Sequence, residues 1–280
     1  MKKGLFIVAV VVVVAAMAVS YFYFKQQQNG AVSAIDAVPV NSAAIIEVKD
    51  ARAVMKKMKS SRVFADVAEV GSGAEFAANL LALDSLLNTN PTFADNFKGL
   101  PVVVSFHNTT MLNYEPLAVM AFSSNLQGKR ALDAILTLLG PSGSLATQKY
   151  DQAKITKFTS TANNKVVVYF TFFQGYLMAS TNEMLMQDAV RQTISGYGIN
   201  QNPSFVKVRQ WAGKNVDANI YLQFKFLNPF IQKQFVNNLF SDMAIQTFSD
   251  WGGFDISIKN DNWLVNGFTL ESVVKKQWAP

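Results

Sequence analysis

Cysteine is absent from all 280 residues, and histidine occurs once, as His107. The first absence excludes disulfides, thiolate metal sites and the lipidated cysteine of a bacterial lipoprotein. The second excludes multi-histidine zinc sites, although one imidazole still suffices for a single triad. Charged side chains make up only 16% of the chain, and Lys2, Lys3 and Lys25 account for three of its 25 cations. The 22 that remain face 19 acids in scattered order. So small an excess makes no electrostatic footprint for nucleic acid, and no nucleic-acid partner is expected. Phosphate loops are missing as well. Gly71-Ser72-Gly73-Ala74-Glu75-Phe76 lacks the last Gly of a dinucleotide loop, and Gly128-Lys129-Arg130 lacks the Ser or Thr of a P-loop. There is no GxSxG elbow and no calcium loop. Two Ser-x-x-Lys matches, Ser204 to Lys207 and Ser272 to Lys275, are about what chance supplies at these frequencies. No catalytic, cofactor-binding or metal-ligating residue is therefore nominated, no cofactor is expected, and the chain is not read as an enzyme.

What the chain has is apolar. Half its residues are hydrophobic and 22 are Phe. Gly4 to Phe24 is a run of 21 uncharged residues, bracketed by Lys2 and Lys3 before it and Lys25 after it. As a helix rising 1.5 Å per residue, it spans roughly 30 Å, the thickness of a bilayer's hydrocarbon core. The lysine excess before the run places the N terminus in the cytoplasm and the domain outside, periplasmic in a bacterium. Tyr21 to Phe24 suit the outer interface. A cleavable signal ending at Ala16-Met17-Ala18 is the rival reading, but its apolar region would be shorter than this one. Residues 1–28 are thus expected to be a transmembrane signal-anchor in the inner membrane, 29–38 a linker, and 39–280 one extracytoplasmic domain in one lobe or two.

Within that domain, Ala43 to Val48 reads as a strand running into a helix at Ala51 to Met58, with Val54, Met55 and Met58 inward. Residues 74–88 carry Phe76, Leu80, Leu83 and Leu87 at helical spacing, stopping before Pro91. Leu100 to Phe106 and Pro116 to Phe122 read as a hairpin with a longer loop. A helix from Lys129 to Leu139 is expected to end at Gly140 in a left-handed cap. Residues 145–160 alternate as a half-exposed strand or hairpin. Lys165 to Phe173 is almost wholly apolar, which predicts a strand covered on both faces or one lining an apolar cavity, and it turns at Gln174-Gly175 into Tyr176 to Ser180. Asn182 caps a helix from Glu183 to Ser195, with Met184, Leu185, Ala189 and Ile194 inward. A short helix at Ser204 to Trp211, a strand at Ala218 to Phe226, a helix at Phe230 to Phe248 and a hairpin over Gly253 to Leu270 complete the pattern. The fold class is α+β, a mainly antiparallel sheet with packed helices, preceded by one transmembrane helix. Ala44 to Val48 faintly echoes Asn219 to Phe224, each leading into a helix.

The anchor, the polar linker and then AIDAVPVNSAAIIEVKDARAVMKKM, NPSFVKVRQWAGKNVDANIYLQF and WGGFDISIKNDNWLVNGFTL, in that order, resemble the domain-of-unknown-function 3352 family of bacterial envelope proteins. The resemblance covers most of residues 34–271 and rests on apolar patterning. It implies an envelope location and brings no assigned activity or site residues. Members of that family continue into a propeller-like second half, so the native protein is expected to run past Pro280, leaving Trp278 in an exposed tail.

Four features of the sequence bear on function. His107, in SFHNTT, reads as a strand-end polar residue. Asp250 and Asp255 flank Trp251-Gly252-Gly253-Phe254, a combination that suits a sugar cleft but is more simply turn-capping Asp beside a buried Trp. Lys56, Lys57, Lys59 and Arg62 form the densest basic cluster, read as a solvated helix face against a phosphate or lipid-headgroup contact. The Phe-rich strands could enclose a lipid-sized cavity, with a packed core as the simpler reading. The expected function is therefore a membrane-anchored module that binds or supports other envelope components, the alternative being an apolar-ligand or lipid-binding domain.

Overall fold

Val102, Val103 and Val104 are three consecutive β-branched residues and all are buried, which only a strand covered on both faces achieves. The computed structural model describes residues 33–69, 71–97, 100–110, 113–161, 166–227 and 249–271. Its strands are β1 (Ser42–Val48), β2 (Val102–Thr110), β3 (Asn113–Ala121), β4 (Gly143–Tyr150), β5 (Ala153–Ser160), β6 (Val167–Phe173), β7 (Tyr176–Ser180), β8 (Ala218–Gln223), β9 (Ser249–Ile258) and β10 (Trp263–Glu271). They form one open sheet, ordered β10-β9-β8-β1-β2-β3-β7-β6-β5-β4, in which every pairing is antiparallel. The helices are α1 (Ala51–Lys59), α2 (Arg62–Ala68), α3 (Gly71–Thr89), α4 (Pro91–Asp95), α5 (Asn125–Leu139), α6 (Glu183–Ser195) and α7 (Pro203–Trp211). The α+β class with an antiparallel sheet is as the sequence implies.

Helices cover both faces, so there are two cores. On the first face, Val102, Val104, Met120, Phe158, Val168 and Phe170 meet side chains of α1 to α5. On the second, Ile45, Val103, Leu117, Val119, Met178 and Tyr221 meet α6, α7 and the 3-10 turn Ala34–Ala37. Strand β6 is nearly all apolar because Val168 and Phe170 enter one core while Tyr169 enters the other. Each fully buried Phe or Leu contributes roughly 1.5–3 kcal/mol, so two covered faces supply most of the stability. Gly128 on α5 lets the helix lie against β6, since a Cβ there would come within 1.9 Å of the Phe172 ring.

Six strands of the sheet, β10-β9-β8-β1-β2-β3, are arranged symmetrically about the β8–β1 pair. Strand β1 leads through helices to the β2–β3 hairpin, β8 leads through residues 224–248 to the β9–β10 hairpin, and β1 pairs with β8 with Ile46 opposite Ile220. The faint echo between residues 44–48 and 219–224 thus falls on two strands related by a local twofold. On one side only, β4 to β7 extend the sheet.

Several local expectations hold with named contacts. Asn182 Oδ1 accepts from Leu185 N at 3.0 Å and caps α6. Gln174 and Gly175 both have positive φ, 47° and 87°, as a two-residue hairpin turn requires. Others are corrected. The linker does not extend to 38, because Ala34, Ile35, Ala37 and Val38 are buried in the second core and the domain includes them. Phe76 is 41% exposed while Ala77 takes the inward position, and Met184 is 75% exposed while Met186 and Val190 are buried. The β2–β3 hairpin has a short connection, not a long loop, since pairing continues to Thr110 opposite Asn113. Gly140 has φ −47° and continues into a 3-10 turn instead of a left-handed cap. Among the described residues, no helix is long and apolar enough to cross a membrane. The anchor at 4–24, the helix expected at 230–248 and the tail 272–280 lie outside the described residues.

Candidate functional site

The lone histidine is the natural starting point. Alternation along β2 turns Val103, Ser105 and His107 to the second face. His107 is 1% exposed and in mid-strand, so it is not the strand-end residue expected from its context. Its Nδ1 lies 3.1 Å from Asn41 Oδ1, and its Nε2 lies 2.8 Å from Ser105 Oγ. With the amide oxygen of Asn41 facing Nδ1, the hydrogen-bond network assigns the ring proton to Nδ1, and Nε2 then accepts from the Ser105 hydroxyl. That is the order of a Ser–His–Asn triad.

Two observations decide against nucleophilic chemistry there. Ser105 is fully buried, so nothing reaches its oxygen. Burial also lowers the His107 pKa to about 3, so the imidazole could not retain a proton taken from serine near neutral pH. The Ser105 oxygen lies 3.3 Å from Leu117 O as well, within the β2–β3 pairing. The constellation instead secures the irregular start of β1, where the register shifts between Ser42 opposite His107 and Ala44 opposite Phe106. Buried polar groups without such partners would each cost a few kcal/mol.

A second polar network occupies the other end of β1 on the same face. Glu47 Oε2 accepts from Tyr221 Oη at 3.2 Å and lies 3.2 Å from Lys49 Nζ, while Arg209 of α7 approaches Glu47 Oε1 at 3.7 Å. Burial, and then the Glu47 charge, push the Tyr221 phenol well above its usual range. On the neighbouring strands, Asp255 accepts from Gly213 N at 2.9 Å and from Asn219 Nδ2 at 2.7 Å. Arg209 also reaches an open depression of about 400 Å³ lined with Asn200, Val206 and Gln210. One cation, two amides and a valine offer binding contacts but no acid–base pair.

The remaining sequence candidates fall apart in space. Trp251 is fully buried against Phe205, so it presents no ring to a sugar, and Asp250 and Asp255 are strand residues, not turn caps. Asp250 instead meets Ser204 Oγ at 3.2 Å. Gly71 and Gly73 belong to α3, and Gly128-Lys129-Arg130 to α5, so neither forms a phosphate loop. Ser204 and Lys207 lie on α7, and Ser272 and Lys275 lie outside the described residues. No group of three or more His, Asp or Glu that could hold a metal occurs among the described residues. The basic cluster divides: Lys57 pairs with Asp217 at 2.6 Å and Lys59 with Asp84, while Lys56 and Arg62 are exposed. Sequence reasoning missed Ser105, Asn41, Glu47, Tyr221 and Arg209. The period-two spacing of Ser105 and His107 was the available signal, but Asn41 enters from the turn that precedes β1, far away in sequence.

No family model, no curated protein and no solved structure matches this chain.

Proposed function

We propose that the chain is a single-pass membrane-anchored module of the bacterial envelope, its N terminus cytoplasmic and its domain outside, acting by binding envelope components and not by catalysis. The run from Gly4 to Phe24, with its lysine asymmetry, carries the reading. Kinship with the domain-of-unknown-function 3352 family belongs to the same proposal. The absence of catalysis is supported by the burial of Ser105 and His107, whose geometry comes nearest to hydrolytic chemistry among the described residues. Reporter fusions at residue 30 test the orientation, and activity of a cytoplasm-only reporter there reverses it. Cross-linking in intact envelopes followed by affinity capture tests the binding role. Recovery of nothing beyond an anchor-only control counts against it.

A further inference from the structure

The Glu47 network leads continuously to the outer surface at one end of the sheet. Arg209, which approaches Glu47, also donates to Ser33 Oγ at 3.2 Å, so the first described residue of the domain is held at this end. Lys49 N donates to Asp217 O, and Asp217 in turn accepts from Lys57 and from Ile258 N at the entry to the β9–β10 turn. Arg62 N then donates to Asn260 O in that turn. Around this connected set, Arg52, Lys56, Arg62, Lys214 and Lys259 are exposed and, among the described residues, outside any ion pair, whereas Glu47 and Asp217 are engaged by cations and Asp50 caps α1 through Ala53 N. On the same segments, Asp261 in the turn and Asp66 one turn along α2 are exposed carboxylates.

We infer that this end of the domain is a docking surface for the anionic headgroups of the membrane that anchors it. The inference rests on the anchoring reading above. Ser33 is nine residues from Phe24, a stretch that reaches at most roughly 32 Å, so with Phe24 at the bilayer interface Ser33 stays within that distance of the headgroups. The tether thus emerges at the end that carries these cations and lets that end come within a Debye length of the headgroups, about 8–10 Å, where a surface of negative potential attracts them. Sequence spacing alone cannot reveal this, because Lys214 and Lys259 come from segments far from α1 and join it only through Asp217 and Asn260.

The test uses the full chain reconstituted in vesicles, either zwitterionic or with about 30% anionic phospholipid. Because the chain has no cysteine, Ala53→Cys, Asn260→Cys and Thr109→Cys each give a unique labelling site. Ala53 and Asn260 flank the cations without removing one, and Thr109 lies at the opposite end of the sheet. A fluorophore at 53 or 260 should be quenched about threefold more by headgroup-level spin labels in anionic than in zwitterionic vesicles. The difference should vanish near about 0.5 M salt, and in the combined Arg52→Glu, Lys56→Glu, Lys259→Glu variant. The reference at 109 should not respond. Equal quenching in both lipids, or a difference that survives charge reversal, overturns the inference while leaving the anchor intact. Release of the protein by alkaline carbonate overturns the anchoring reading and this inference with it.

Discussion

At the Ser42 end of β1, His107 is enclosed with neutral partners, while at the Val48 end Glu47 meets Lys49 and Arg209, both about one-third exposed. Both networks lie on the same face of the sheet, at opposite ends of β1. At the closed end water is excluded, so ionisation is resisted and the imidazole stays neutral. At the open end the carboxylate is stabilised by two cations and a buried phenol, and solvent can replace either cation. Chemistry that needs a proton transferred fails at the first end for lack of access and a usable pKa, and at the second for lack of an acid–base pair. The contrast teaches that neither network is a reaction centre, and that the charged one communicates with the surface.

The largest test of this contrast is acidification. The folded-state pKa of His107, about 3, lies below the unfolded value of about 6.5, so between these values the unfolded chain binds a proton that the folded chain does not. The stability this group contributes is present above pH 6.5 and lost as pH falls toward 3, at up to about 1.4 kcal/mol per pH unit. Denaturant unfolding of the wild type and of His107→Gln across that window should show the extra acid sensitivity only in the wild type.

Next in size, Ser105→Ala and Asn41→Ala should each cost about 1–2 kcal/mol by stranding one imidazole nitrogen in a dry site. Chemical denaturation measures this directly, and an effect below about 0.5 kcal/mol would show that water reaches the ring. At the open end, Tyr221→Phe should cost about 1 kcal/mol or less, because Lys49 still contacts Glu47. Lys57→Ala should lie within about 0.5 kcal/mol, since its side chain is half exposed where it pairs with Asp217.

Much of the local structure was legible before the fold was known. The Gln174-Gly175 turn, the Asn182 cap and the doubly covered strand at 167–173 follow from backbone sterics, capping chemistry and apolar continuity. The faces of α3 and α6 were harder. Adjacent helical residues differ by only about 100°, so Phe76 and Ala77 exchange places without breaking the pattern, and Met184, beside the buried Leu185, falls just outside the covered face; only the partner sheet decides. The pairing of β1 with β8, whose partners lie 170 or more residues apart, has no local signal, and the echo between those strands gave only a hint of their twofold relation. His107 was visible as a singular residue, yet its meaning depended on Asn41 and on the extension of β2 to Thr110. The buried turn at 34–37 was mistaken for linker because its short apolar stretch is flanked by polar residues.

The most direct test of the central claim, that the Ser105–His107–Asn41 constellation is enclosed and structural, is an NMR titration of the imidazole. One histidine gives one side-chain resonance pair to follow in the intact protein. The account predicts no protonation shift from pH 8 down to about 4.5, with the Nδ1-protonated neutral tautomer throughout. A titration midpoint near the ordinary histidine value of about 6.5 would contradict it, placing solvent at the ring and restoring Ser105 as a nucleophile to be reckoned with.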